Sequence, residues 1–76
     1  MEEKEIKIQI FDNEKYFLYD TILTEKNIYD IFAKVEDPKS IILAKQVMEN
    51  NEEYYEIIEE GEEFDYAMSI YHSNNN

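Results

Sequence analysis

The chain has 76 residues, with nineteen acids against seven lysines and no arginine, for a net charge of −12. It is long enough for one domain, and at 43% hydrophobic residues it is too apolar for intrinsic disorder. The acid excess argues against direct nucleic-acid binding and against anionic membrane surfaces, and the absence of cysteine excludes disulfides, thiol nucleophiles and Cys-based metal sites.

The first five residues, Met1-Glu2-Glu3-Lys4-Glu5, are too acidic for a signal or transit peptide. The longest apolar run is Ile41-Ile42-Leu43-Ala44, far short of a membrane span. A cytoplasmic protein is expected, folded as a single acidic α+β domain over residues 1–73 with a disordered tail at 74–76.

Ile6, Ile8 and Ile10 alternate with Lys7 and Gln9, the period of a half-buried strand. Turn-forming residues follow at Asp12-Asn13, and Tyr16 to Leu23 reads as the returning strand of a hairpin. Thr24 then has the chemistry of a helix N-cap, with Glu25 in the first turn. Ile28, Ile31, Phe32 and Val35 fall at i, i+3, i+4 and i+7, which predicts an amphipathic helix over Thr24–Val35, ended by Asp37-Pro38.

Residues 41–58 read in two ways. They form a second hairpin, turning at Glu49-Asn50-Asn51-Glu52, or they are helical after Pro38. Phe64, Ala67, Met68 and Tyr71 repeat the helical spacing, predicting a helix over about Glu62–His72. Ile28 and Phe64 are 36 residues apart, and Asp12-Asn13 precedes Glu49-Asn50 by 37, an internal echo that favours the hairpin. The expected fold is a small antiparallel sheet with two amphipathic helices on one face, ββαββα. The rival is a β-hairpin followed by three or four helices. The predicted core is Ile6, Ile8, Ile10, Leu18, Ile28, Ile31, Phe32, Phe64 and Met68.

Catalytic chemistry finds little footing. His72 is the only histidine, and it suits the C-terminal end of a helix. Gly61 is the only glycine, so no phosphate-cradling loop exists, and its expected place is a turn or helix boundary. A calcium loop begun at Asp12 fails, because Phe17 would occupy the position that needs glycine. A binding protein is expected rather than an enzyme, with no cofactor and no metal.

The charge distribution is uneven. Residues 1–45 carry ten acids and seven lysines, whereas residues 46–76 carry nine acids and no lysine. Those nine are Glu49, Glu52, Glu53, Glu56, Glu59, Glu60, Glu62, Glu63 and Asp65. Like charges at this density repel and cost stability, while a merely solvated face gains from mixing signs. On a strand, outward carboxylates would recur every ~6.6–6.8 Å as a linear anionic row comparable to the phosphates of a duplex. Tyr54, Tyr55 and Tyr66 lie among the acids, and tyrosine is enriched at binding hot spots. Glu49 to Asp65, with Tyr54 and Tyr66, is therefore the expected partner-binding segment, and the partner is a basic, nucleic-acid-handling protein.

Small size, an acidic face and abundant Ile, Lys, Asn, Tyr and Phe, residues with AT-rich codons, resemble phage- and plasmid-encoded inhibitors of nucleases, glycosylases and CRISPR effectors. The resemblance is one of class and composition, and it implies an inhibitor that occupies a basic groove by nucleic-acid mimicry. A small regulatory module, antitoxin-like or binding a transcription factor, is the alternative. A hairpin edge could pair with its own copy in a homo-oligomer, although the outward acids oppose close approach.

Overall fold

The computed structural model describes residues 7–74, without the side chain of Asn74. The described residues form five strands and one helix: β1 (Ile8–Phe11), β2 (Glu14–Leu23), β3 (Ile28–Lys34), β4 (Ile41–Glu49), β5 (Glu52–Ile58) and α1 (Glu62–Asn74). The strands make one antiparallel sheet in the order β1-β2-β3-β4-β5, each pairing only with its neighbours in the chain.

The β1–β2 and β4–β5 hairpins each turn on two residues with positive φ, Asp12-Asn13 (55° and 66°) and Asn50-Asn51 (53° and 66°). These are the φ values that match the twist of a two-residue hairpin, and Asn and Asp reach them at less cost than other side chains with a Cβ. Between β2 and β3, Thr24 closes a tight turn. Its hydroxyl donates to the Asn27 carbonyl at 2.8 Å and accepts from the Asn27 amide at 3.0 Å. A bulge at Tyr19 shifts the register between Leu18 and Asp20.

The sheet curls. In a flat sheet β1 and β5 would lie roughly 19 Å apart, four strand spacings. Instead the Phe11 ring of β1 lies 5.2 Å from Phe32 of β3 and 6.1 Å from Tyr55 of β5. The result is a half-barrel with an aromatic concave side. Helix α1 covers the convex side, where Ile22, Tyr29, Ile31, Leu43, Ile58 and Ala67 are buried and Phe64, Met68, Ile70 and Tyr71 pack against them.

Two helices on one face, whether as ββαββα or after a single hairpin, are not what the chain forms. Thr24–Val35 is a turn and strand β3, because this central strand is buried on both faces and so lacks alternation. Ile28, Ile31, Phe32 and Val35 match a helical period by coincidence, while their β-branched and aromatic character suits a sheet. The second hairpin and the C-terminal helix form where expected. Gly61 stands at the helix start, its carbonyl accepting the Asp65 amide at 2.9 Å.

The predicted core is corrected in part. Ile31 and Phe32 are buried, and Leu18, Phe64 and Met68 are half-buried. Ile8 is 46% exposed and Ile10 65%, since β1 is an edge strand whose convex side the helix does not cover. Ile28, at the start of β3, is also exposed. Ile6 lies outside the described residues, as do residues 75–76 of the expected tail, and helix α1 takes in Asn74. Among the described residues no helix is long and apolar enough to cross a membrane.

Candidate functional site

Strand alternation divides the four acids of β4 and β5, Glu49, Glu52, Glu53 and Glu56, between two faces. The β4–β5 register places Glu49 opposite Glu52, Val47 opposite Tyr54 and Lys45 opposite Glu56, all on the convex side. Glu53 falls between Glu52 and Tyr54 and points to the concave side with Tyr55. Tyr54 therefore interrupts the row of carboxylates expected along β5.

The convex row continues onto the helix through Lys45. Its ammonium lies 3.7 Å from Glu56 and 3.0 Å from Glu63, and the Glu63 carboxylate also accepts the Tyr29 hydroxyl at 2.8 Å. These donors, Lys45 first and Tyr29 second, hold the Glu63 carboxyl below its usual range. The same hydrogen bond to Glu63 raises Lys45. Burial, reinforced by the hydrogen bond to Glu63, raises Tyr29. This arrangement fixes the start of α1 over β3 and β4, so Glu63 is a structural acid.

Glu59 and Glu60 are exposed in the β5–α1 connection, and Glu62 and Asp65 are exposed in the first helical turn. The helix dipole favours acids there. Tyr66 is 55% exposed one turn beyond Glu62 and Glu63, and Tyr54 is 47% exposed on β5. The convex edge thus presents Glu49, Glu52, Tyr54 and Glu56, followed by Glu59, Glu60, Glu62, Asp65 and Tyr66.

A second constellation occupies the concave side. Asp30, in the middle of β3, is only 1% exposed. Its carboxylate accepts from Thr21 Oγ1 at 2.9 Å, Gln46 Nε2 at 3.0 Å and the Tyr55 hydroxyl at 2.8 Å. Lys7 Nζ in turn donates to Tyr55 Oη at 3.0 Å and sits 5.5 Å above the Tyr55 ring centre. That hydrogen bond raises Lys7, whereas burial is the main cause raising Tyr55. Every buried side-chain polar atom among the described residues has a partner. No motif announces this network. Its one trace in the sequence is an acid inside the apolar run Ile28-Tyr29-Asp30-Ile31-Phe32, the pattern of a buried carboxylate with donors waiting.

Beside the network lies a cleft of about 430 Å³, lined by Lys7, Gln9, Phe11, Gln46, Glu53, Tyr54 and Tyr55. Tyr55 lies among the acids in the sequence, but its hydroxyl is engaged by Asp30 and Lys7. His72 is exposed near the end of α1, its ring 5.8 Å from Tyr71. Among the described residues no group of three His, Asp or Glu side chains is placed to hold a metal ion. Searches of protein-family models, curated proteins and solved structures return no match to this chain.

Proposed function

We propose that this is a non-catalytic, cytoplasmic binding protein that docks an acidic surface in the basic groove of a nucleic-acid-handling protein and so keeps the nucleic acid out. It would act as an inhibitor of the kind that phages and plasmids deploy against nucleases and CRISPR effectors. The observation that carries the reading is the convex edge of the β4–β5 hairpin and helix start, where exposed carboxylates of Glu49, Glu52, Glu56, Glu59, Glu60, Glu62 and Asp65 follow one another and Lys45 pairs with Glu56 and Glu63 alone of the nine acids. Tyr54 and Tyr66, both half out of the surface, supply anchors within the anionic field. Such a surface steers association with a positive groove and repels other anions.

The test is capture of the partner on the immobilised protein, followed by a salt series and competition with DNA and RNA. The expected partner binds nucleic acid, is displaced by it, and loses affinity as salt screens contacts over ~8–10 Å. Paired reversals at Glu52/Glu56, Glu59/Glu60 and Glu62/Asp65 should slow association while leaving the fold intact. A partner without a basic surface, or affinity unchanged by all three reversals, would reduce the acidic edge to a solvated face.

A further inference from the structure

Among the described residues the outer strands β1 and β5 are the two edges of the sheet, and they do not pair with each other. The turn geometry settles which backbone groups of β5 remain free. In a two-residue hairpin the residues flanking the turn exchange both hydrogen bonds, and such pairs then alternate along the ladder. Glu49 and Glu52 flank Asn50-Asn51, so Glu52, Tyr54, Glu56 and Ile58 spend their amides and carbonyls on β4. Glu53, Tyr55 and Ile57 turn theirs to the open edge. The cleft beside the concave network is lined by Glu53, Tyr54 and Tyr55 in succession. Three consecutive strand residues cannot all send side chains to one side, so part of that lining is the backbone edge.

The side chains along this edge state what would fit. On the convex side stand Glu52, Tyr54 and Glu56, and on the concave side Glu53, Tyr55 and Ile57, with Phe11 across the cleft. A second copy of β5 would set carboxylates against carboxylates. A strand whose alternate residues are basic would meet Glu52 and Glu56 on one side and seat apolar side chains near Tyr55 and Ile57 on the other.

We infer that the free edge of β5 receives an extended, basic segment of the partner, which adds to the sheet as a sixth strand in the seam between β5 and β1. This rests on the proposed basic partner and specifies how it is held. Backbone hydrogen bonds supply affinity, and the acidic convex row selects positively charged side chains.

A blocked peptide of alternating Lys and Val, about eight residues long to match the seven of β5, is the probe. In antiparallel pairing its valine amides face β5 when its lysines face Glu52 and Glu56, so for this orientation, the one the inference specifies, an analogue N-methylated at every Val keeps the charge and loses the pairing. The unmodified peptide should bind at least about tenfold more tightly than the analogue, a loss equivalent to one or two hydrogen bonds. At saturation, amide exchange should slow at Glu53, Tyr55 and Ile57, with little change at Tyr54 and Glu56. Glu53→Pro and Ile57→Pro remove amides that the β4–β5 ladder does not use, and each should weaken the peptide about as much as N-methylation does. Glu53→Gln, which keeps the amide, should weaken it less. Equal binding of the two peptides without new protection overturns the edge inference and leaves the basic-partner reading standing. Binding of neither peptide overturns the edge inference, while the basic-partner reading stands or falls on the captured partner and the charge reversals. Self-association that protects the same three amides without peptide assigns the edge to a second copy and overturns the inference as well.

Discussion

Lys7 and Tyr55 meet at 3.0 Å, 48 residues apart in the chain, and join the start of the sheet to its last strand. The contact exists because Tyr55 is already held from below by Asp30, which positions the phenol oxygen to accept the ammonium while donating its own proton. The curl of the half-barrel thus rests on a polar chain from Lys7 through Tyr55 to Asp30, reinforced by the rings of Phe11, Phe32 and Tyr55.

Tyr55→Phe keeps the ring contacts and removes the hydroxyl, leaving Asp30 one donor short and Lys7 without its acceptor. Urea unfolding should show a loss of about 1–3 kcal/mol, the cost of an unmet buried hydrogen bond. A fall below half a kcal/mol would mean that water replaces the phenol freely.

Glu63 gives a pH signature. Lys45 and then Tyr29 depress its folded pKa, so its contribution is fully present above the unfolded value of about 4.3 and is lost as pH falls through the lower folded value. Between pH ~5 and ~3 the parent protein should therefore lose stability relative to Glu63→Gln. Comparing the two chains removes the opposite trend, common to both, in which protonation relieves the repulsion of a net charge of −12. Parallel stability curves would show that the Lys45–Glu63–Tyr29 contact contributes nothing in solution.

Ile31→Ala and Ile10→Ala separate the true core from the apparent one. Ile31 is 2% exposed under the helix, and its truncation should cost about 2–5 kcal/mol in chemical denaturation. Ile10 is 65% exposed, and its truncation should stay within about half a kcal/mol. Equal costs at the two positions would contradict the placement of α1.

The turns carry a fourth test. Asn51 has φ of 66°, so Asn51→Gly should be neutral or stabilising by a few tenths of a kcal/mol, whereas Asn51→Val should cost about 1–2 kcal/mol. Thermal unfolding of the two variants reads the difference. A harmless Asn51→Val would show that the hairpin adopts another turn.

The two hairpins were legible because Asp12-Asn13 and Asn50-Asn51 are short-range signals, set between runs rich in Ile, Tyr and Phe. The helix from Glu62 was legible because its exposed side is polar. Strand β3 was not, since burial on both faces removes the alternation by which a strand is recognised, and Ile28, Ile31, Phe32 and Val35 then mimic a helix. Its composition still held the correction, in β-branched and aromatic residues with only one alanine. At the candidate site the acids were visible as a list, but their division was not. Which side of β5 Glu53 occupies depends on the register with β4, and the reservation of Glu63 for Lys45 and Tyr29 depends on contacts 18 and 34 residues away. The role of Asp30 is not legible in the sequence, because its three donors come from three different strands.

A sheet in which every strand pairs only with its neighbour in the chain has a kinetic consequence. Each ladder closes over a short loop, so little chain entropy is lost before contacts repay it, and folding should be rapid for a mostly β protein. The contacts between distant segments, Lys7 with Tyr55 and Tyr29 with Glu63, can form only after the ladders exist. They belong to the last step of folding and to the first step of opening, so the outer strands should exchange their amides ahead of β3. A partner that occupied the seam would act on the least stable part of the molecule, and part of its binding free energy would appear as slower unfolding.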